Sequence, residues 1–189
     1  QKDLTHFIKW MLKKFVSIVL CTGNKMQYNY SIIETPIGSL SILADNKSLK
    51  MLKFSDSFQS FEKKISIPKI LRKKNIVLQN VEKQIQEYFR KERKKFDIPL
   101  DISSGTTFQQ TVWKSLIDIE YGSLVSYADI ARNVKRPNAY RAVGNANNSN
   151  PISIIIPCHR VVGSNGNLSG YGGGIDKKKF LIDLEEQHD

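Results

Sequence analysis

The residues best suited to chemistry are a cysteine and a histidine at adjacent positions, Cys158 and His159. A thiol attacks carbon only as its thiolate, and an imidazole is a base that can take its proton. Adjacent side chains of a regular helix or strand point apart, so the pair needs a turn in order to cooperate, and Pro157 favours one. The alternative is a buried structural thiol beside a hydrogen-bonded histidine. The pair alone indicates a nucleophilic site without excluding a structural one.

A glycine-rich stretch follows this pair and holds six glycines between Gly163 and Gly174. It lacks the Lys-Ser or Lys-Thr ending of a nucleotide phosphate loop, so a flexible wall over a pocket is the better interpretation. A structural metal site is not expected, because the chain has three histidines, two cysteines and no Cys-x-x-Cys pair. The sequence predicts no cofactor.

Short helices in the second half of the chain are expected to position these residues. Two of them flank a three-residue break at 136–138, and with the helix before them they form the helix-turn-helix pattern. A buried apolar strand is predicted over residues 152–156, leading into Pro157. The predicted helices cover residues 108–117 (capped by Thr107), 127–134 (capped by Ser126), 139–147, and a last stretch from about Lys177.

The first half of the chain predicts a small sheet followed by a helix. Apolar residues from Val81 to Phe89 recur at the spacing of one helix face. A linker strand over residues 96–101 then leads to a domain boundary at 103–105. Before the helix, strand-like stretches joined by short turns form a meander over residues 28–32, 40–44 and 49–54.

Residues 1–25 do not resemble the rest of the chain. Basic residues precede a short apolar run, Phe15–Cys21, which is at the short limit for a signal peptide and has no clean cleavage site after it. Met26 is a suitable first residue for the folded part of the chain. Three interpretations stay open: an extension outside the folded body, an extra packed helix, or a targeting segment.

The composition is that of a packed globular protein. Of 189 residues, 40% are hydrophobic and 25% are charged, and no apolar run approaches the roughly 18 residues that cross a bilayer. Two cysteines, Cys21 and Cys158, are too few to stabilise a secreted fold by disulfide bonds, so a reducing compartment is the simpler interpretation. We therefore predict a cytoplasmic location, or a nuclear one if the source is eukaryotic, and no membrane partner.

The net charge of +11 is unevenly spread along the chain. Residues 1–100 hold 20 of the 29 Lys and Arg but 9 of the 18 Asp and Glu. Basic runs such as Arg72–Lys74 suit a solvated helix face as well as a DNA surface. Between residues 126 and 174, five basic residues stand against the single acid Asp129. This local excess is the more useful indication of a nucleic-acid partner.

The second helix of the helix-turn-helix pattern carries the small residues Ala142, Gly144 and Ala146. Small side chains let a helix lie close to DNA, including in a minor groove that bulky residues would hold off. Close packing against another helix explains the same spacing, and both explanations stay open.

Several motifs together resemble the O6-alkylguanine-DNA alkyltransferases, also called methylated-DNA–protein-cysteine methyltransferases. The most specific is Ile-Pro-Cys-His-Arg-Val at 156–161, and it is accompanied by Arg-Ala-Val-Gly at 141–144 and Asn-Pro at 150–151. Supporting stretches extend the resemblance over about residues 26–187, and they lie at 35–38, 105–109, 112–113, 121–122, 126–127 and 168–174.

The resemblance implies an α/β protein of two domains. A small ribonuclease H-like α/β domain would cover residues 26–102, and a mainly helical, winged helix-turn-helix domain with the active cysteine would cover 103–189, leaving 1–25 as an extension. The implied partner is double-stranded DNA containing an alkylated guanine, which a monomer would contact through the minor groove. The damaged nucleotide would be flipped out of the base stack, where its O6 atom is otherwise unreachable.

The implied activity is direct-reversal DNA repair. The alkyl group of O6-alkylguanine, and of O4-alkylthymine, would pass irreversibly to the protein's own cysteine, so that each molecule works once. One alternative is a non-catalytic relative that binds alkylated DNA and recruits other repair factors, but such relatives lack the cysteine present here. Another is a helix-turn-helix regulator or a thiol hydrolase, and a regulator would need base-reading side chains on its second helix.

The resemblance also implies roles for single residues. Cys158 would accept the alkyl group, and His159 would take its proton through a water while Glu185 orients the imidazole; from the residues alone, Glu185 is a surface acid unless it turns inward. Tyr127 would crowd the flanking phosphate and donate to the guanine N3, and Arg141 would fill the vacated place in the duplex. The other DNA-contacting residues implied are Arg136, Ala142 and Gly144. The pocket and hinge residues implied are Asn150, Pro157, Arg160, Ser164, Tyr171, Gly172 and Gly173.

One position departs from part of the family. Some members have a serine where this chain has Gly172, so a backbone N–H would have to contact the guanine O6 here. The missing side chain predicts a roomier pocket that accepts alkyl groups larger than methyl.

Overall fold

A computed structural model describes residues 28–54, 74–168 and 170–186. The predicted extension over residues 1–25 lies outside these residues. The first part of the chain is an antiparallel meander of three strands in the order β1-β2-β3. The strands are β1 (Asn29–Ile33), β2 (Leu40–Ala44) and β3 (Leu49–Phe54), so the sequence prediction is confirmed with β1 one residue later than expected.

The outer edge of β3 is covered by two segments from later in the chain. Leu49 forms a parallel bridge with Leu100, and Leu52 forms another with Ile152. The stretch at 96–101, predicted as a linker strand, therefore contributes a single bridge to the sheet. The second bridge ties β3 directly to the segment that precedes the Cys-His pair, and it covers an edge that would otherwise expose unpaired backbone groups.

Helix α1 (Ile76–Phe89) packs on this sheet. It begins five residues before Val81, the first residue of the predicted apolar face. Its start is set by Asn75, whose side chain accepts a hydrogen bond from the backbone N–H of Leu78 at 2.9 Å. The predicted apolar face is confirmed, since Val81, Ile85 and Tyr88 are fully buried.

Helix α2 (Thr107–Ile117) is capped by Thr106, one residue before the predicted Thr107. Thr106 and Gln109 form a reciprocal capping box, and because Thr107 also has a glutamine three positions later, the local pattern alone does not distinguish the two threonines. Trp113 is fully buried and donates its indole N–H to the carbonyl of Ala146 at 2.8 Å. Ile117, the last residue of the helix, is exposed although it is apolar.

The helix-turn-helix consists of α3 (Tyr127–Asn133) and α4 (Tyr140–Asn148), each within one residue of its predicted end. Ser126 caps α3 as predicted, with Asp129 completing the capping box. Beside it, β4 (Val125–Ser126) pairs in parallel with β5 (Val161–Val162). The last helix is α5 (Ile175–Glu186), which begins two residues before the expected Lys177.

The predicted buried strand over residues 152–156 is wrong. These residues are buried, but after the bridge at Ile152 the backbone turns, with Ile154 at a φ of 70°. The apolar run is therefore explained by burial in a turn and not by a strand. It leads through Pro157 into a single turn of 3₁₀ helix, Cys158–Arg160.

One hydrophobic cluster joins the two halves of the chain. It includes Leu52 and Tyr88 from the first half and Trp113, Ile152 and Leu181 from the second. Within the described residues, no helix is long and apolar enough to cross a membrane.

Candidate active site

Cys158 is buried at the start of the 3₁₀ turn, with 5% of its surface exposed. Asn150 holds this turn: its Nδ2 donates to the carbonyl of Ile156 at 2.8 Å and to Sγ of Cys158 at 3.2 Å, while its Oδ1 accepts from the N–H of Ile152 at 2.9 Å. One buried amide thus fixes both the shape of the loop and a donor on the sulfur.

His159 points away from the solvent and towards the C-terminal helix. Its Nε2 lies 2.8 Å from Oε1 of Glu185, and both side chains are almost fully buried. Glu185 therefore turns inward, as the resemblance implied, and is not a surface acid. The other ring nitrogen of His159, Nδ1, is buried and has no hydrogen-bond partner among the described residues.

The Glu185 carboxylate is the centre of a buried network. Arg160 donates to both oxygens, at 2.8 and 3.0 Å, and also to the carbonyl of Ile119 at 2.5 Å. Tyr88 of α1 donates its hydroxyl to Oε1 at 2.6 Å, and the backbone N–H of Gly122 donates to Oε2 at 3.1 Å. Gly122 has a φ of 75°, a conformation that glycine adopts without strain.

The network sets the protonation states around the thiol. Burial would raise the pKa of Glu185, but the hydrogen bonds from His159 and Arg160 and the positive charge of Arg160 outweigh it and hold that pKa well below its usual range. Burial lowers the pKa of His159, which is therefore neutral at pH 7. Because a carboxylate can only accept, the His159 Nε2 carries the proton and Nδ1 is left as the basic atom.

Burial raises the pKa of the Cys158 thiol, so in the protein alone it is a thiol at neutral pH. Four groups act in the opposite direction: the side chain of Asn150 through its hydrogen bond, Lys53 and Lys178 through their charges, and the backbone N–H of Cys158 itself. Lys178 is buried on α5 and donates to the carbonyl of Val161 at 2.6 Å. The site thus holds a protonated sulfur beside groups that favour its ionised form.

The glycine-rich loop lies against the end of β3. A Cβ on Gly173 would stand 2.5 Å from the ring of Phe54, so any other residue there would force that ring to move, and the Phe54 and Tyr171 rings meet edge to face at 6.1 Å. The hydroxyl of Tyr171 is buried, and burial raises its pKa well above the ordinary value. Gly172 and Ser164 are exposed.

The helix-turn-helix presents its other named residues on the outside. Arg141 and Arg136 are exposed, and each lies over a neighbouring ring, that of Tyr140 at 5.8 Å and that of Phe108 at 5.7 Å. The three small residues of α4 lie in different environments. Ala142 faces outward, Gly144 is half-buried near the ring of Tyr127, and Ala146 packs inward.

Two sequence models of one family together span this whole arrangement. The ribonuclease-like domain of 6-O-methylguanine DNA methyltransferase matches residues 28–102, and the DNA-binding domain of the same protein matches residues 107–187. The chain belongs to the 6-O-methylguanine DNA methyltransferase family.

Individual family members agree with this assignment. A methylated-DNA–protein-cysteine methyltransferase of Methanosarcina acetivorans is 44% identical over 156 residues, which are 82% of this chain and 97% of the relative. The crystal structure of Mycobacterium tuberculosis O6-methylguanine methyltransferase is similar at a TM-score of 0.74 and 38% identity, covering 86% of this chain and 94% of that one. Mycobacterium tuberculosis OGT in complex with DNA is similar at a TM-score of 0.73 and 40% identity, covering 84% and 92%.

The sequence pattern identified the methyltransferase motif but missed the groups that reach it from elsewhere. Tyr88 lies on the predicted apolar face of α1 and Gly122 in a supporting stretch of the resemblance, and both donate a hydrogen bond to Glu185. No sequence pattern marks Lys53 or Lys178. A buried lysine in a strand or helix is unusual, yet nothing in its local sequence distinguishes it from an exposed one.

Proposed function

We propose that this protein repairs alkylated DNA directly, by moving the alkyl group from O6-alkylguanine, and from O4-alkylthymine, onto Cys158 in a reaction that each molecule performs once. The observation that carries the proposal is the buried line of groups from Asn150 and Cys158 through His159 to Glu185. Its members have the types and protonation states that a thiol nucleophile with a general base requires.

In this reaction the sulfur forms a bond to the alkyl carbon, and the bond from that carbon to O6 of guanine breaks. The thiol proton leaves towards Nδ1 of His159 through a water, since Nε2 is already occupied by Glu185. Tyr127 donates a proton to N3 of the departing guanine, so that the leaving group is neutralised as it departs. A thioether has no easy route back to a thiol, which accounts for a single turnover.

The proposed DNA contact uses the exposed side of the helix-turn-helix. Helix α4 would enter the minor groove, where outward-facing Ala142 and half-buried Gly144 permit close approach. Arg141 would occupy the place of the flipped nucleotide and Arg136 would contact phosphate. Unstacking is needed because Cys158 is buried and the guanine O6 is unreachable within the duplex.

The flipped base would enter between the Cys158 turn and the glycine-rich loop. Asn150 and Pro157 shape the turn, and Arg160 fixes Glu185. On the loop side, Tyr171 and Gly173 would form the wall, Gly172 would place its N–H near O6, and Ser164 would lie at the rim.

We extend the proposal to the organisation of the chain. Residues 26–102 would form one domain and residues 103–189 the other, with Ser103–Gly105 between them, and the protein would act as a monomer. With Cys21 and Cys158 as the whole cysteine content, a reducing compartment suits it, the cytoplasm or the nucleus of a eukaryote.

The test of this function is the variant Cys158→Ala. It should lose transfer of the methyl group from O6-methylguanine duplex DNA while still binding that duplex more tightly than undamaged DNA. Residual transfer would identify another acceptor, with Cys21 the first to examine. A wild-type protein that binds the lesion and never transfers would instead support the non-catalytic function.

A further inference from the structure

The first half of the chain brings a buried cation to the active site. Lys53 lies near the end of β3 with 7% of its surface exposed. Leu52, next to it, is hydrogen-bonded through both backbone groups to the segment before the catalytic turn: its N–H to the carbonyl of Pro151 at 3.0 Å and its carbonyl to the N–H of Ser153 at 2.8 Å. Asn150, which donates to the Cys158 sulfur, immediately precedes that segment.

The residue after Lys53 also contacts the active-site wall. The ring of Phe54 lies edge to face with Tyr171 and fills the space beside Gly173. The end of β3 is therefore held between the two loops that border Cys158, one on each side. A side chain at position 53 is fixed relative to the sulfur by backbone hydrogen bonds and by ring packing.

The surroundings of Lys53 differ from those of the neighbouring buried lysine. Lys50 lies 2.8 Å from a carboxylate oxygen of Asp45 and also pairs with Asp101. Among the described residues, Lys53 forms no ion pair with an acid, and the group whose charge attracts it is Cys158. A buried ammonium without an acidic partner is costly unless something in the site uses its charge.

We propose that Lys53 is a positioning residue for alkyl transfer, whose buried ammonium group is the counter-charge that stabilises Cys158 as a thiolate. The step itself is unchanged: the thiol proton still leaves towards His159, and Lys53 keeps its own protons throughout. The inference rests on Cys158 being the acceptor, and it assigns part of the activation to the ribonuclease-like half of the chain.

The charges around the sulfur come from three elements. Lys53 of β3 and Lys178 of α5 both favour the thiolate, while ionisation of Tyr171 in the glycine-rich loop would oppose it. Burial lowers the pKa of Lys53 to about 8, and attraction to Cys158 opposes that lowering, so the side chain is mainly an ammonium at pH 7. Lys178 already donates to the carbonyl of Val161. Within the described part of the chain, the one charged group that attracts the ammonium of Lys53 is the Cys158 thiolate.

The experiment measures the ionisation of Cys158 without DNA. Full-length protein is treated with iodoacetamide from pH 5.5 to 10, and the modified Cys158 peptide is quantified by mass spectrometry so that Cys21 does not contribute. Lys53→Met should slow the reaction at pH 7 about tenfold, and the difference from wild type should narrow above about pH 8, where the wild-type Lys53 loses its own proton. Lys53→Arg, which keeps the charge, should restore the wild-type rate at pH 7, and Lys47→Met, which removes an exposed charge from the turn between β2 and β3, should leave that rate unchanged.

Equal rates at pH 7 for Lys53→Met and wild type would overturn the proposal. If Lys53→Met does not fold, the pH profile of the wild-type reaction is the test instead. The logarithm of its rate should rise by less than one unit per pH unit around pH 8, where Lys53 loses its proton and no longer stabilises the thiolate, and a slope of one through pH 8 would contradict the proposal. Single-turnover methyl transfer from duplex DNA then separates this inference from the proposed function. Lys53→Met should transfer about tenfold more slowly than wild type at pH 7 and at the wild-type rate at pH 9. A wild-type protein that never transfers would refute the proposed function without changing the measured reactivity of the Cys158 thiol.

Discussion

Nε2 of His159 lies 2.8 Å from Oε1 of Glu185, which comes 26 residues later in the chain. The distance fixes the tautomer of the imidazole, because a carboxylate with a strongly lowered pKa accepts and does not donate. Nδ1 is then the nitrogen that can receive a proton from the neighbouring thiol. The pair thus turns a histidine that is buried and neutral into a base of defined direction.

The pH dependence of transfer should reflect this histidine. Because burial lowers the pKa of His159 from its usual 6.5, the imidazole stays neutral and competent at pH 7 and is lost as a base only at more acidic pH. Single-turnover rates of methyl transfer, measured from pH 5 to pH 8, should therefore fall with a midpoint below 6.5. A midpoint at or above 6.5 would show that the base is a different, more exposed group.

Removing the charge of Glu185 should destabilise the fold strongly. Glu185→Gln leaves Arg160 buried without an anion, which costs about 3–5 kcal/mol of unfolding free energy at pH 7. Urea unfolding measures the loss, and Glu92→Gln is the control, because its ion pair with Arg90 is exposed to solvent and its loss should leave the stability nearly unchanged.

The same carboxylate makes the wild-type protein sensitive to acid. The pKa of Glu185 is lower in the folded than in the unfolded protein, so its contribution is complete above about pH 4.5 and is lost as the pH falls below that value. The gap in stability between wild type and Glu185→Gln should therefore narrow from pH 7 to pH 4. A gap that stays constant would mean that the lost energy is not electrostatic.

Arg141→Ala should separate base flipping from thiol chemistry. Arg141 is exposed on α4 and forms no salt bridge within the described ranges, so its loss should not disturb the fold. We expect repair of O6-methylguanine in duplex DNA to slow at least tenfold, while the DNA-free reaction of Cys158 with iodoacetamide keeps its wild-type rate. Arg132→Ala, which removes an equal charge from α3, is the control. Normal duplex repair by Arg141→Ala would remove Arg141 from the flipping step.

Gly172→Ser should narrow the range of alkyl groups accepted. A Cβ at position 172 would lie 3.7 Å from the carbonyl oxygen of Asn148, an ordinary contact, so serine fits without strain. The wild-type protein should transfer methyl and benzyl groups at comparable rates, and the variant should favour methyl. Strict methyl preference in the wild type would refute the roomier pocket. Gly173→Ser is the contrasting variant, since its side chain would collide with Phe54 and lower stability.

The sequence predicts much of the fold because its signals are local. The meander, the α1 face and the Ser126 cap follow from alternation, helical spacing and capping chemistry over a few residues each. The strand predicted over 152–156 fails for a related reason. An apolar run reports burial, and it does not report that the side chain of Asn150 bonds the backbone into a turn.

The site is predicted only as far as its motif extends. Cys158 and His159 are adjacent, so the chain displays them together, whereas Glu185 points inward because Arg160 and Tyr88 donate to it. Tyr88 and Lys53 come from the other half of the chain, and no spacing rule links them to position 158. Their roles depend on the docking of α1 and β3 against the second half, which is a property of the packed molecule.

Cys158 itself should accept the alkyl group. We would measure the intact mass of the protein after incubation with excess O6-methylguanine duplex DNA and then map the modified peptide. We expect a gain of one methyl group on Cys158, with repair stopping at one lesion per molecule. An unchanged mass, whether with tight lesion binding or with many lesions repaired, would contradict it.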